Sequence, residues 1–275
     1  MLLGIDIGGT TINLGLAEGK EIVKKLTVPS FRQGADLEET LVHLEGAIRQ
    51  IITPEVTKIG VGVPTLVDAE KGIVYDATNI PSWTVVPLKA RLEKTFGIPV
   101  MVNNDANCFV MGAAARLGKP AKVVVGVTLG TGTGIGVIID GKIYNGVNCG
   151  AGELCSVPYQ GGILENFCSK QFFCSKGLDP KEVGDKAFAG DPEALKLMDE
   201  FGTHLGRLLF LVMLAYDPSD IVFGGGVAHS FDLFKAATLR TLKEMYPYPR
   251  FLDKLTISAM PEGDIPVLGA SLLQL

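Results

Sequence analysis

Between residues 125 and 136 the chain reads VGVTLGTGTGIG, an apolar strand that breaks into alternating glycine and threonine and then resumes as a strand. Side chains this small let backbone N–H groups and hydroxyls approach an anion closely. The pattern occurs twice. Aligning Asp6 with Thr128, an offset of 122 residues, sets Gly4 on Gly126, Gly8 on Gly130 and Thr11 on Thr133, and Glu18-Gly19-Lys20 on Asp140-Gly141-Lys142. Each copy is an apolar strand, a Gly/Thr turn, a second apolar strand, an acidic-Gly turn and a third strand, which together make a meander of two hairpins. One supersecondary unit repeated at this distance predicts two similar subdomains rather than a solenoid. Two such turns facing each other across a cleft can grip one polyphosphate. Two tight hairpins with no ligand are the other reading of the same residues.

A chain of 275 residues has core enough for one large domain or two moderate ones. Its formal net charge of −5 and charged fraction of 20% give no basic surface for nucleic acid. The opening MLLGIDIGG lacks the basic region of a signal peptide, and no apolar run is long enough to span a bilayer, so a cytoplasmic location is expected. Five cysteines without an export signal point to free thiols. Four of them, Cys149, Cys155, Cys168 and Cys174, crowd one region, but their gaps are too wide for zinc-type pairing and no histidine lies among them. The three histidines, His43, His204 and His229, are too few for a His-based metal site or a Ser-His-Asp triad and are expected on helix or loop surfaces.

Apolar residues at three- and four-residue spacing predict a helix over 36–52 with Asp36 as its N-cap, followed by a strand at 58–63 closed by Pro64. From there PTLVDAEKGIVYDATNIPSW reads as a long irregular loop holding Asn79 and the single Trp83, before a helix at 87–96 and a strand at 98–102. At the end of that strand stands NNDAN, which places Asp105 at a strand terminus beside a helix start. Ligands bind at such strand ends in open α/β sheets, although a plain helix N-cap is the ordinary reading of an aspartate there. Glu153 and Glu165 lie in glycine-rich, loop-like text and can accept hydrogen bonds from a polyol, where solvated loop acids are the default. Residues 179–216 read as mostly helical and stop at Asp217-Pro218. A strand at 221–223 runs into Gly224, Gly225 and Gly226, a third glycine turn bare enough for a flat ring or a phosphate to lie on backbone. A strand at 255–260 and a helix at 267–275 close the chain.

Seven stretches in order, DIGGTT, PTLVD, TNIPSW, NNDAN, TLGTGTGIG, GAGEL and DPSDIVFGGGV, make the chain resemble the ROK family of sugar kinases, within the actin, hexokinase and Hsp70 superfamily. The resemblance covers nearly the whole sequence. It implies an α/β protein of two similar subdomains with the actin-like ATPase (ribonuclease H-like) fold and a cleft between them. The small subdomain would take residues 1–110, with a C-terminal helix at 264–275 packing back onto it, and the large one residues 111–263.

The implied activity is ATP-dependent phosphorylation of a hexose at the 6-hydroxyl, glucose being the first candidate and N-acetylglucosamine, N-acetylmannosamine, mannose and fructose the alternatives. Asp105 matches the family's general base. Asn104, Glu153, Glu165 and Asn79 match its contacts to sugar hydroxyls. Asp6, Gly8, Gly9, Thr10 and Thr11, with Gly130, Thr131, Gly132 and Thr133, match its two phosphate-binding loops, and Gly224, Gly225 and Gly226 its adenosine-side motif. ATP and Mg2+ are the implied cofactors, with Asp6 a metal contact through water, and a homodimer the implied assembly. Members commonly carry a histidine three residues after the glutamate of GAGE and then a cysteine-rich zinc segment. Here that position is Ser156 and the stretch VPYQGGILE is too short for the segment, so no structural zinc is expected. A sugar sensor of weak activity, suggested by Ser156, is the reading from another class. A chaperone-like or filament-forming ATPase would need a longer chain, and a repressor an added DNA-binding domain.

Overall fold

The computed structural model describes residues 1–77, 79–118 and 121–274. Thr78 of the TNIPSW stretch and Leu275 of the expected closing helix lie outside the described residues. Two compact units divide the chain, the first made of residues 1–119, 143–151 and 263–275, the second of residues 120–142 and 152–262.

In the first unit β1 (Leu2–Ile7), β2 (Thr11–Glu18) and β3 (Glu21–Pro29) form the expected meander. Helix α1 (Leu37–Ile51) follows, and its start is fixed by a capping box. Glu39 N donates to the Asp36 side chain at 2.8 Å and Asp36 N donates to the Glu39 carboxylate at 2.9 Å, satisfying two helix-end donors reciprocally. Strand β4 (Ile59–Val63) then pairs parallel to β1. It is buried along its whole length, which is why it reads as a continuous apolar run rather than an alternation.

The stretch expected to be an irregular loop contains a small antiparallel sheet, β5 (Val67–Asp68), β6 (Ile73–Tyr75) and β7 (Val85–Val86). Trp83 anchors it from beneath: its ring is fully buried and Nε1 donates to Thr40 Oγ1 of α1 at 2.7 Å. Helix α2 (Leu88–Phe96) and strand β8 (Val100–Asn104) complete the sheet, whose order is β3-β2-β1-β4-β8. Helix α3 (Asp105–Leu117) leaves directly from β8 and falls whole within the first unit.

The second unit repeats the plan. β9 (Val123–Leu129), β10 (Thr133–Ile139) and the short β11 (Lys142–Ile143) are the second meander. A 3-10 turn (Glu153–Ser156), a hairpin of β12 (Pro158–Tyr159) and β13 (Gly162–Ile163), and the short helices α4 (Glu165–Cys168) and α5 (Gln171–Cys174) precede α6 (Pro180–Phe188) and α7 (Pro192–Tyr216). Strand β14 (Asp220–Gly224), helix α8 (Phe231–Met245) and strand β15 (Thr256–Ala259) finish a sheet of order β11-β10-β9-β14-β15. The two orders are the same, with the meander at one side and two parallel strands at the other. The second core gathers Val125, Val127 and Phe223 from the sheet with Phe201, Leu205 and Leu208 from α7.

His204 departs from the surface position expected of it. It is 7% exposed, because it shares the inward face of α7 with Phe201, Leu205 and Leu208, and its Nδ1 is satisfied by the Tyr159 hydroxyl at 3.0 Å. Phe167 and Phe172 pack against the ring at 5.0 and 5.6 Å between centroids.

The last helix, α9 (Ile265–Leu272), returns to the first unit and lies against β1, β4 and α3, with glycines where its backbone meets theirs. A β-carbon at Gly4 would stand 1.9 Å from the Val267 carbonyl oxygen, one at Gly60 1.8 Å from that of Ala270, and one at Gly269 1.7 Å from that of Cys108. Lys58 Nζ donates to the Leu273 carbonyl and so closes the helix end.

Candidate functional site

In each unit the parallel strands end on the same side, and the sequence-predicted residues cluster there. At the end of β1, Gly8 N donates to Thr11 O at 2.9 Å and closes the first Gly/Thr turn. Ser30 braces it, its N–H donating to Thr10 O and its hydroxyl to Gly8 O. Gly9 and Thr10 are exposed at the tip, and a β-carbon on Gly9 would stand 4.0 Å from the Asn79 side chain, so Asn79 sits over this turn. Asp6 is half-buried at the strand end, and desolvation pushes its carboxyl up to about 6 against the pull of a hydrogen bond with Asn13.

That shift predicts a pH-dependent strain. An aspartate whose folded pKa is raised binds its proton more tightly folded than unfolded, so stability falls as pH rises from about 4 to about 6 and is flat above. Asp6→Asn removes the charge. In nucleotide-free buffer it is expected to unfold at higher urea than the wild type at pH 8, by about 1–2 kcal/mol once solvent contact is allowed for, with the advantage gone at pH 3.5. Equal midpoints at both pH values would refute the strain.

At the end of β8 the helix N-cap is Asn104, not Asp105. The Asn104 side chain accepts from Ala106 N at 2.9 Å and Asn107 N at 3.3 Å, and its amide donates to Thr65 O at 3.1 Å. Asp105 is therefore the first residue of α3, half-buried, with one carboxylate oxygen 2.8 Å from the Ala106 N–H. The cap is itself held in place: Asn103, buried beneath it, accepts from Asn104 N and from Asn107 Nδ2, and Asn107 donates on to Asn145. Asp6, the first turn, Asn79, Asn104 and Asp105 thus all belong to one unit.

The second unit holds the other expected residues. Gly130 N donates to Gly132 O at 2.9 Å, and Thr133 Oγ1 donates to the Cys168 carbonyl at 2.8 Å. Glu165, at the start of α4, accepts from Thr133 N at 2.9 Å. Its carboxylate fills the space a side chain at residue 132 would need, a β-carbon there standing 2.4 Å from Oε1, which accounts for Gly132. Glu153 opens the 3-10 turn, and partial desolvation together with the negative charge of Glu165 holds its pKa above the usual carboxylate range. A carboxylate held near a second one in this way suits a ligand rich in hydroxyl donors.

Of the third glycine turn only Gly226 faces open space. Gly224 ends β14, and Gly225 is required by packing, with φ of +84° and a would-be β-carbon 2.5 Å from the Leu129 carbonyl oxygen. Gly226, Gly130 and Thr131 line a cavity of about 530 Å³ together with Lys170, Asp179, Pro180, Lys181, Asp185, Phe188, Val227, His229 and Ser230. Sequence reasoning reached the glycines and the threonine of this wall but none of the charged residues. Their one signal was the Asp179-Pro180 helix start, with Asp179 capping α6. All five cysteines are free, and among the described residues no group of three or more His, Cys, Asp or Glu is arranged to hold a metal ion. Ser156 is exposed at the end of its 3-10 turn.

Two halves built on one strand order, each with a Gly/Thr turn between its first two strands, define the actin-like ATPase fold. The chain matches the ROK family over residues 2–275 and belongs to that family. It is 31% identical to a glucokinase of Halalkalibacterium halodurans, over 98% of this chain and 94% of that one. It is 28% identical to an N-acetyl-D-glucosamine kinase of Pectobacterium carotovorum, over 100% and 99%. The crystal structure of the ROK hexokinase from Thermus thermophilus is similar to it with a TM-score of 0.76 at 27% identity, over 98% and 96% of the two chains.

Proposed function

We propose that this chain transfers the terminal phosphoryl group of ATP to the 6-hydroxyl of a hexose, glucose first among the candidates, with Asp105 as general base. Family membership and the kinase relatives make it a sugar kinase; the sugar, the hydroxyl and the residue roles are the proposal. The observation that carries it is the cavity of about 530 Å³ in the second unit, which meets a Gly/Thr turn at one wall. A hollow of this size suits a nucleotide, and the turn offers small residues where the phosphates would lie.

Phosphoryl transfer asks mainly for positioning and charge neutralisation. The Asp105 carboxylate takes the proton of the attacking hydroxyl, and Asn104, fixed by its cap bonds and its bond to Thr65, holds that carboxylate at the start of α3. Asn79, Asn104, Glu153 and Glu165 take the remaining hydroxyls. The turn residues Gly8, Gly9, Thr10 and Thr11 and their counterparts Gly130, Thr131, Gly132 and Thr133 take the phosphates, and Gly226 the nucleoside side. Asp6 fits a Mg2+ contact made through water, being a hard oxygen donor whose raised pKa reflects a half-buried charge without enough solvation. Mg2+ would be held chiefly by phosphate oxygens and would supply charge neutralisation.

Sugar-dependent ADP release from Mg-ATP across hexoses and N-acetylhexosamines tests the reading. A marked preference for glucose is expected. Preference for an N-acetylhexosamine would overturn the substrate, and sugar binding by calorimetry without turnover would overturn the reaction.

A further inference from the structure

The wall of the cavity in the second unit draws its charge from Lys170, Asp179, Lys181 and Asp185. Three of these are occupied. Lys181 Nζ pairs with Asp185 at 3.0 Å, one helical turn away, and Asp179 spends a carboxylate oxygen on the Lys181 and Glu182 N–H groups at the start of α6. Lys170 has no ion-pair partner among the described residues. Its backbone is pinned, N–H donating to Gly130 O at 2.9 Å, so the residue is tied to the Gly/Thr turn while its exposed side chain lines the hollow beside Gly130 and Thr131. A lysine ammonium is a compact point charge on a flexible stem, suited to a phosphate whose position shifts as it is transferred.

We propose that Lys170 binds the phosphate chain of the donor nucleotide, an inference that rests on the kinase reading above. The backbone bond sets where the stem starts, and the four-carbon chain gives the reach. The role is confined to phosphate, since no contact between Lys170 and the nucleoside is needed.

The test compares adenosine, ADP and Mg-ATP binding by calorimetry in the wild type, Lys170→Ala and Lys170→Arg. For Lys170→Ala, Kd is expected to rise about tenfold for ADP and Mg-ATP and to stay within twofold for adenosine, since a charge-assisted bond in contact with solvent is at the lower end of such interactions. The salt dependence of ADP binding should fall with it, Lys170→Arg should restore most of the affinity, and the KM for sugar should not move. Unchanged ADP and Mg-ATP affinity in Lys170→Ala overturns the proposal, and so does an equal loss for adenosine, which would mark a structural role. A wild type that binds neither adenosine nor ADP overturns the kinase reading along with it, which separates the two failures.

Discussion

Exchanging Asp105 for asparagine is expected to lower turnover at least ~10²-fold, about 2.7 kcal/mol of activation free energy, while leaving the fold and sugar binding in place. The two effects separate because of where the residue sits. Asn104 caps α3, so the substitution leaves the cap bonds to Ala106 and Asn107 untouched. An asparagine oxygen can still accept from Ala106 N, as the aspartate does at 2.8 Å. What the helix loses is one negative charge in its first turn, worth about 0.3–1 kcal/mol. The measurement is kcat with the preferred sugar, beside calorimetry for that sugar and a urea midpoint. Near-normal kcat would remove Asp105 from the mechanism. An unfolding free energy lowered by several kcal/mol would show instead that its carboxylate is structural.

The second large effect is expected far from any chemistry. Gly269→Ala in α9 would drive a methyl group to 1.7 Å from the Cys108 carbonyl oxygen and 2.6 Å from Gly112 N. Both are backbone atoms of α3, so no side chain can swing aside, and the helix must lift from the cluster of Met101, Cys108, Ala270 and Leu273. A loss of about 3–5 kcal/mol is expected, a large share of a typical domain's stability. Trp83 is the single tryptophan and is buried in the first unit, so its fluorescence reports unfolding of that unit. Gly46→Ala gives the contrast. Nothing lies within 4 Å of a β-carbon there, in the middle of α1, so the same exchange should stabilise by about 0.5–1 kcal/mol. Equal tryptophan midpoints for Gly269→Ala and wild type would mean that α9 is not seated against α3.

The repeat at an offset of 122 residues was legible because glycines and alternating apolar residues carry their meaning locally, and it brings out both meanders. The start of α1 was legible for a similar reason, since Asp36 and Glu39 cap the helix from within their own segment. The small sheet at Val67–Val86 was not: strands of two and three residues are too short for a period of two to appear. His204 was misplaced because a histidine counts as polar on a helix face, and the partner that satisfies it, Tyr159, lies 45 residues away. At the site, NNDAN exposed Asn104 and Asp105, but their division of labour is a matter of helix geometry that the letters leave open. Lys170, Asp179, Lys181 and Asp185 look like ordinary solvated charges until α6 and the β9–β10 turn are brought to one hollow. Gly225 shows the reverse case, a glycine that reads as a ligand site and is required by the carbonyl of Leu129.

The interleaved make-up of the units also bears on how the chain is made. The first unit builds its main core from Leu3 to Val102, but the face of β1 and β4 that carries Gly4 and Gly60 stays uncovered while the ribosome adds everything up to residue 263. The second unit draws its buried core from Val125 to Tyr246, with Leu252, Leu255, Ile257 and Ala259 packed against it, and all of these precede α9 in the chain. The N-terminal part can begin to fold first, as is usual during synthesis, yet one face of the earliest strands is covered only after the whole inserted unit has been made.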